Sequence, residues 1–128
     1  MLFYSPKFIL PKRYNNTCSQ VDVLPSIAGL AKASYRNTTF GRNLFDSASK
    51  KENVAFIYDD ALHTIGIIND QYYYLRNLNS NNEEFLSMLT DAAVPKNNIT
   101  DSIKNHLQKL TLAYYETAKY MLLNNKKK

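Results

Sequence analysis

Asp59, Asp60 and His63 stand within one short stretch and carry the oxygen and nitrogen donors that a divalent metal takes. A metal there would sit at a strand end. A lasting site also needs a further ligand and outer hydrogen-bond partners, and the neighbouring sequence offers neither. The same residues suit a hairpin loop, with the aspartates favouring the turn and His63 opening the next strand, so the expectation is a turn without a metal. Tyr72, Tyr73, Tyr74 and Arg76 have the types of a stacking platform for bases or sugar rings. In a strand, Tyr72 and Tyr74 share one face and Tyr73 and Leu75 the other. With Arg76 almost the only cation among them, one face reads as core and no nucleic acid is expected. Cys18 lies just ahead of a helix start, where a dipole lowers a thiol pKa. No histidine stands near it in sequence, and it is expected as a small buried residue. His106, one position off a helical apolar stripe, reads as structural. No catalytic, cofactor-binding or metal-ligating residue is assigned.

The elements that would position these residues follow from pattern. Leu2–Tyr4 and Phe8–Leu10 are apolar runs split by Ser5, Pro6 and Lys7, the first a buried strand ending at a proline. Such a strand, without a neighbour, is free to pair with a second copy of the chain. Ser19 and Asp22 make an S-x-x-D helix start. Beyond it Val21, Leu24, Ala28 and Ala31 fall on one narrow face with Ile27 beside them, which predicts a closely docked helix. Pro25 is tolerable in an early turn, and Gly29 permits close packing against a sheet. Asn37 to Arg42 is turn chemistry. Val54–Tyr58, Thr64–Ile68 and Tyr72–Arg76 are β-branched or aromatic runs with Asp59-Asp60 and Asn69-Asp70 between them, which predicts an antiparallel three-stranded meander. Asn79–Asn82 is a polar turn and Ala92–Thr100 a connecting loop. Asp101 then caps a long helix whose stripe is Ile103, Leu107, Leu110, Tyr114, Ala118 and Met121. The fold class expected is α+β: an antiparallel three- to four-stranded sheet packed with two or more helices, in one domain over 1–128, with a disordered basic tail at 125–128.

Two motifs go further. Ser19-Gln20-Val21-Asp22-Val23-Leu24-Pro25-Ser26 fits the pattern S-x-[IV]-D-[IV]-x-P-[ST], and after an apolar helix Gly41-Arg42-Asn43-Leu44 fits G-[RK]-[DN]-L. Together they resemble the C-terminal part of the sulfatase-like enzymes of the alkaline phosphatase superfamily, in the branch of lipoteichoic acid synthase-like sulfatases and phosphoglycerol transferases. The likeness runs from Leu2 to Asp91. Asn43 stands where Asp is commoner, and in Glu84–Asp91, which resembles an E-L-Y-D-L-x-x-D ending, Ser87 replaces an acidic residue. The resemblance implies a C-terminal fragment of an alkaline-phosphatase-like α/β fold. The parent it implies is a bacterial enzyme acting on sulfate or phosphate esters with a divalent metal (Mn, Mg, Ca or Zn), held at the cell membrane with its catalytic domain outside. Its nucleophile and Asp-His metal pair come earlier than this segment, so the fragment is expected to bind no cofactor, to be inactive alone and to partner the remainder of the catalytic domain.

Composition bounds the alternatives. The net charge is +5, and taking away Lys126, Lys127 and Lys128 leaves +2, an ordinary surface value. A single cysteine excludes an internal disulfide. No apolar run approaches the ~20 residues of a membrane span, so the fragment is expected to be soluble and to meet a membrane only through its parent. Two other classes stay open: a free-standing interaction module that self-associates or binds a partner, and a small nucleic-acid binder using the tyrosines and the lysine tail.

Overall fold

A capped start, a block of β-branched and aromatic residues, and one long amphipathic stretch give the chain its elements. The computed structural model describes residues 4, 7, 10, 11, 13–46 and 52–124. Contacts divide the chain into two compact units, Met1–Lys51 and Glu52–Lys128.

In the first unit a 3₁₀ turn, Gln20–Asp22, runs into helix α1, Val23–Leu30. Ser19 is extended, and its N–H donates to the Asp22 carboxylate at 2.8 Å, which starts the helix as the S-x-x-D spacing predicts. Pro25 falls in the first turn of α1, where its missing N–H costs nothing. The helix ends as Lys32 turns left-handed (φ 51) and the Ala33 N–H closes on the Ala28 carbonyl at 2.9 Å, a Schellman-type stop. The packed face differs from the expected one. Asp22, Pro25, Ser26 and Ala28 are buried, while Val21, Leu24 and Ile27 are 44%, 60% and 47% exposed. Hydrogen bonds from Asp22 and Ser26, described below, turn the polar side of the helix inward. The N-terminal strand lies largely outside the described residues. Of its two runs only Tyr4 and Leu10 are described, both exposed and in no element.

The second unit is a four-stranded antiparallel sheet of order β1-β2-β3-β4: β1 Ala55–Asp59, β2 Thr64–Ile68, β3 Tyr72–Asn77 and β4 Glu83–Ser87. The predicted meander is its first three strands. The fourth comes from the stretch read against the family's ending. Register places Phe56, Ile67, Tyr74 and Phe85 in one cross-strand row and Tyr58, Ile65, Arg76 and Glu83 in the next. Both rows face helix α2, Asn98–Asn124. Asn97, rather than Asp101, caps that helix: its Oδ1 accepts the Ile99 and Thr100 N–H groups at 3.0 and 2.9 Å. The predicted stripe packs as expected. Leu107 is buried with Ile67 and Tyr74, and Val54, Phe56, Tyr72, Phe85, Ile103, Leu110 and Tyr114 close around them. Each fully buried Ile or Leu contributes about 1.5–3 kcal/mol. Phe56 stacks on Tyr114 (centroids 5.8 Å apart) and Tyr58 on Tyr115 (6.3 Å). The α+β class of sheet and helices therefore holds. Among the described residues, four non-glycine residues take positive φ, each at an element end or turn: Lys32, His63, Asn81 and Asp91 (φ 51, 47, 57 and 56).

Candidate functional site

Two polar clusters, one in each unit, are the densest chemistry among the described residues. In the first unit, the two motifs that carry the resemblance meet. Asp22 is 3% exposed; its Oδ2 accepts the Ser19 N–H and its Oδ1 the Arg42 N–H, at 2.8 and 2.9 Å. Arg42 Nε stands 3.9 Å from Asp22 Oδ2, and its guanidinium donates to the Thr17 carbonyl. The Ser26 hydroxyl donates to the Asp22 carbonyl at 2.7 Å and accepts the Leu44 N–H at 3.0 Å. Gly41 is required by closeness: a Cβ there would fall inside the Val21 carbonyl oxygen. Gly29 likewise leaves room for the Asn43 side chain, so its close approach is to that amide rather than to a sheet. Asn37 folds the turn beforehand, accepting the Thr39 N–H at 3.0 Å and donating to the Gly41 carbonyl at 2.6 Å. A carboxylate that accepts two backbone N–H groups beside a guanidinium is committed to holding the backbone in place. The knot fastens residues 41–44 to α1.

In the second unit, Glu83 at the head of β4 accepts from Gln108 Nε2 at 2.8 Å and pairs with Lys104 Nζ at 2.9 Å, both on α2. Burial pushes its carboxyl up, but Lys104, Tyr74 and Arg76 outweigh that and hold it below the usual value of 4.5. Burial, and then Glu83, push the Tyr74 hydroxyl well above 10.0, with Arg76 and Gln108 opposing. Glu83 and Gln108 are close enough to shift Tyr74 yet bond each other. Neither gives the buried Tyr74 oxygen a hydrogen bond of good geometry, and the buried Arg76 Nε also lacks one. Arg76 donates through Nη2 to Asn81 Oδ1 at 2.8 Å. The cluster holds an ionised Glu83 and a neutral Tyr74 between sheet and helix, and contains no nucleophile with a base beside it.

The residues weighed from sequence are placed individually. Asp59 Oδ1 accepts the Leu62 N–H at 3.0 Å, and Asp60 Oδ1 accepts the Tyr58 hydroxyl at 2.9 Å. His63 takes up the left-handed turn position, so the trio forms the β1–β2 turn and does not converge on a point. Among the described residues, no three His, Cys, Asp or Glu side chains are grouped to hold a metal. Tyr74 is fully buried, Tyr72 lies against Phe85 (5.2 Å), and the Tyr73 hydroxyl donates to the Asp91 carboxylate. Cys18 corrects its expectation: it is exposed, because the inward side of the turn it precedes is filled by Asp22 and its partners. His106 Nε2 meets the Glu52 carboxylate at 2.9 Å, both side chains 55% exposed, beside an open depression lined by Asn98, Asp101, Ser102, Asn105 and Lys109. That pair is a surface contact worth about 0–1 kcal/mol. No helix among the described residues is long and apolar enough to cross a membrane.

Sequence reasoning missed the Glu83 cluster. The run Glu83-Glu84-Phe85-Leu86-Ser87 carries no polar–apolar alternation that would have revealed it. No protein-family model matches the chain, and no curated protein matches it either.

Proposed function

We propose that the chain is the C-terminal portion of a bacterial sulfatase-like or phosphoglycerol-transferase-like enzyme of the alkaline phosphatase superfamily, and that it is inactive alone. The observation that carries this reading is the knot: Asp22 and Ser26 of one motif accept the Arg42 and Leu44 N–H groups of the other, and Gly41 lies against the Val21 carbonyl. Residues shared for such a purpose serve structure, which suits a segment carrying the family's framework without its reaction. Asp59, Asp60 and His63 lie in the β1–β2 turn, and among the described residues no three candidate metal ligands are grouped. In this reading the parent supplies the nucleophile and the metal ligands, and is membrane-held with an outward-facing catalytic domain. The fragment buttresses that domain. The deciding experiment is to read the DNA upstream of codon 1. An open frame encoding a Ser, Thr or Cys nucleophile and an Asp-His pair supports the reading; a stop codon with a ribosome-binding site overturns it.

A second reading has its own observation. Val21, Leu24, Ile27 and Leu30 make a stripe along α1 that is 41–60% exposed, as an interaction module would present to a partner. Under this reading the isolated chain self-associates in sedimentation equilibrium and Leu24→Asp abolishes it.

A further inference from the structure

We propose that the outward stripe of α1, with the cations that follow it, docks on a bilayer surface rich in anionic phospholipid. The inference rests on the second reading above, that this stripe meets a partner, and names the partner's chemistry. The stripe is held outward. Asp22 accepts the Ser19 and Arg42 N–H groups, Ser26 accepts the Leu44 N–H, and Gly29 lies against the Asn43 side chain. Those contacts fix the polar side of the helix toward residues 41–44. At about 100° per residue, Leu24, Ile27 and Ala31 then lie on the opposite side, with Leu30 on its flank. Leu24, the most exposed of the stripe, keeps 60% of its surface open. An aliphatic face left in water is unfavourable, and here the helix has no freedom to roll it inward.

Charge selects the partner. Lys32, Tyr35 and Arg36 follow α1 directly and are exposed, and Lys7 and Arg13 are exposed cations ahead of it. Among the described residues none of these four cations is ion-paired. The acidic residues of 1–51 are Asp22, which is buried beside Arg42, and Asp46. An aliphatic stripe followed by unpaired Lys and Arg with a Tyr between them is the composition of an interfacial anchor. The aliphatic side chains enter the acyl boundary, and the cations meet phosphate headgroups. Two stripes packed on each other would gather cations from both copies, with no exposed carboxylate on α1 to answer them. A nucleic acid would use the cations and leave Leu24 and Ile27 in water.

The test is co-flotation of the 128-residue chain with vesicles of equimolar phosphatidylglycerol and phosphatidylcholine, against vesicles of phosphatidylcholine alone. Binding is expected only to the anionic vesicles and should weaken as salt rises. Lys32→Gln with Arg36→Gln should weaken it by about fivefold per cation. Leu24→Gln with Ile27→Gln should weaken it by about tenfold at unchanged salt. Hydrogen exchange at the Leu44 amide, held by Ser26, should match the parent chain in both variants, which shows the first unit still folded. The proposal is overturned by no binding to anionic vesicles at low salt, or by either double variant binding like the parent chain. It also fails if polyglutamate or an RNA homopolymer binds more tightly than the vesicles. Self-association that Leu24→Asp abolishes, without flotation, overturns it and leaves the second reading standing; neither flotation nor self-association removes both.

Discussion

Asp22 joins the helix start to residue 42, accepting the Ser19 and Arg42 N–H groups and standing beside the Arg42 guanidinium. Its carboxylate faces a guanidinium that is itself only 10% exposed. Asp22→Ala should therefore cost about 3 kcal/mol, the penalty for stripping one partner from a buried pair. Hydrogen exchange at the Leu44 amide reads this directly, because that N–H is held by Ser26 within the same knot; protection should fall by roughly a hundredfold. Tyr74 behaves oppositely. Its hydroxyl is buried without a well-formed hydrogen bond, so Tyr74→Phe should change stability at neutral pH by less than about 1 kcal/mol. The difference appears in alkali. A tyrosine whose folded pKa lies above 10.0 contributes stability that is complete below that pH and is lost as pH rises through the folded value. Urea melts above pH 10 should show the parent chain weakening more steeply than the Phe variant, which keeps only the raised hydroxyls of Tyr58 and Tyr73.

At the scale of elements, the fastening of α2 to the sheet rests on an apolar stripe and on Glu83 at its edge. A carboxylate held below 4.5 contributes stability above that pH and loses it as pH falls through the folded value. Glu83→Gln should be weaker than the parent by about 1 kcal/mol at pH 7, a figure discounted for the partial exposure of the pair, and should converge with it in acid. Urea titrations at pH 7 and pH 3 decide this, and equal separation at both would remove the role assigned to Glu83. The same elements show what was legible beforehand. β1, β2 and β3 follow from runs of β-branched and aromatic residues set between turn residues, and the stripe of α2 follows from its helical period. The inward face of α1 was misread because Asp22 and Ser26 are buried by hydrogen bonds to residues 42–44, a long-range fact that apolar spacing does not encode. β4 was hidden by its charges, since Glu83 faces the helix through Lys104 and Gln108 rather than through an apolar side chain. The cap of α2 lies at Asn97 because Asn and Asp serve equally well there, and only the fold chooses between them.

Over the whole molecule, the polar clusters are frameworks within each unit, and the knot is legible only as a resemblance: its residue types suggest a family, while the hydrogen bonds that explain them span two motifs. The turns described above carry one more consequence. Left-handed backbone costs an ordinary residue about 1–2 kcal/mol relative to glycine, and Asn or Asp less. The chain meets that geometry with Lys32, His63, Asn81 and Asp91, and none of its glycines takes a positive φ. Lys32→Gly and His63→Gly should therefore each raise the melting temperature by a few degrees, while Gly29→Ala and Gly41→Ala should lower it through collision. Glycine in this protein is a spacer and not a hinge, which leaves an unclaimed reserve of thermal endurance at the corners where the chain reverses.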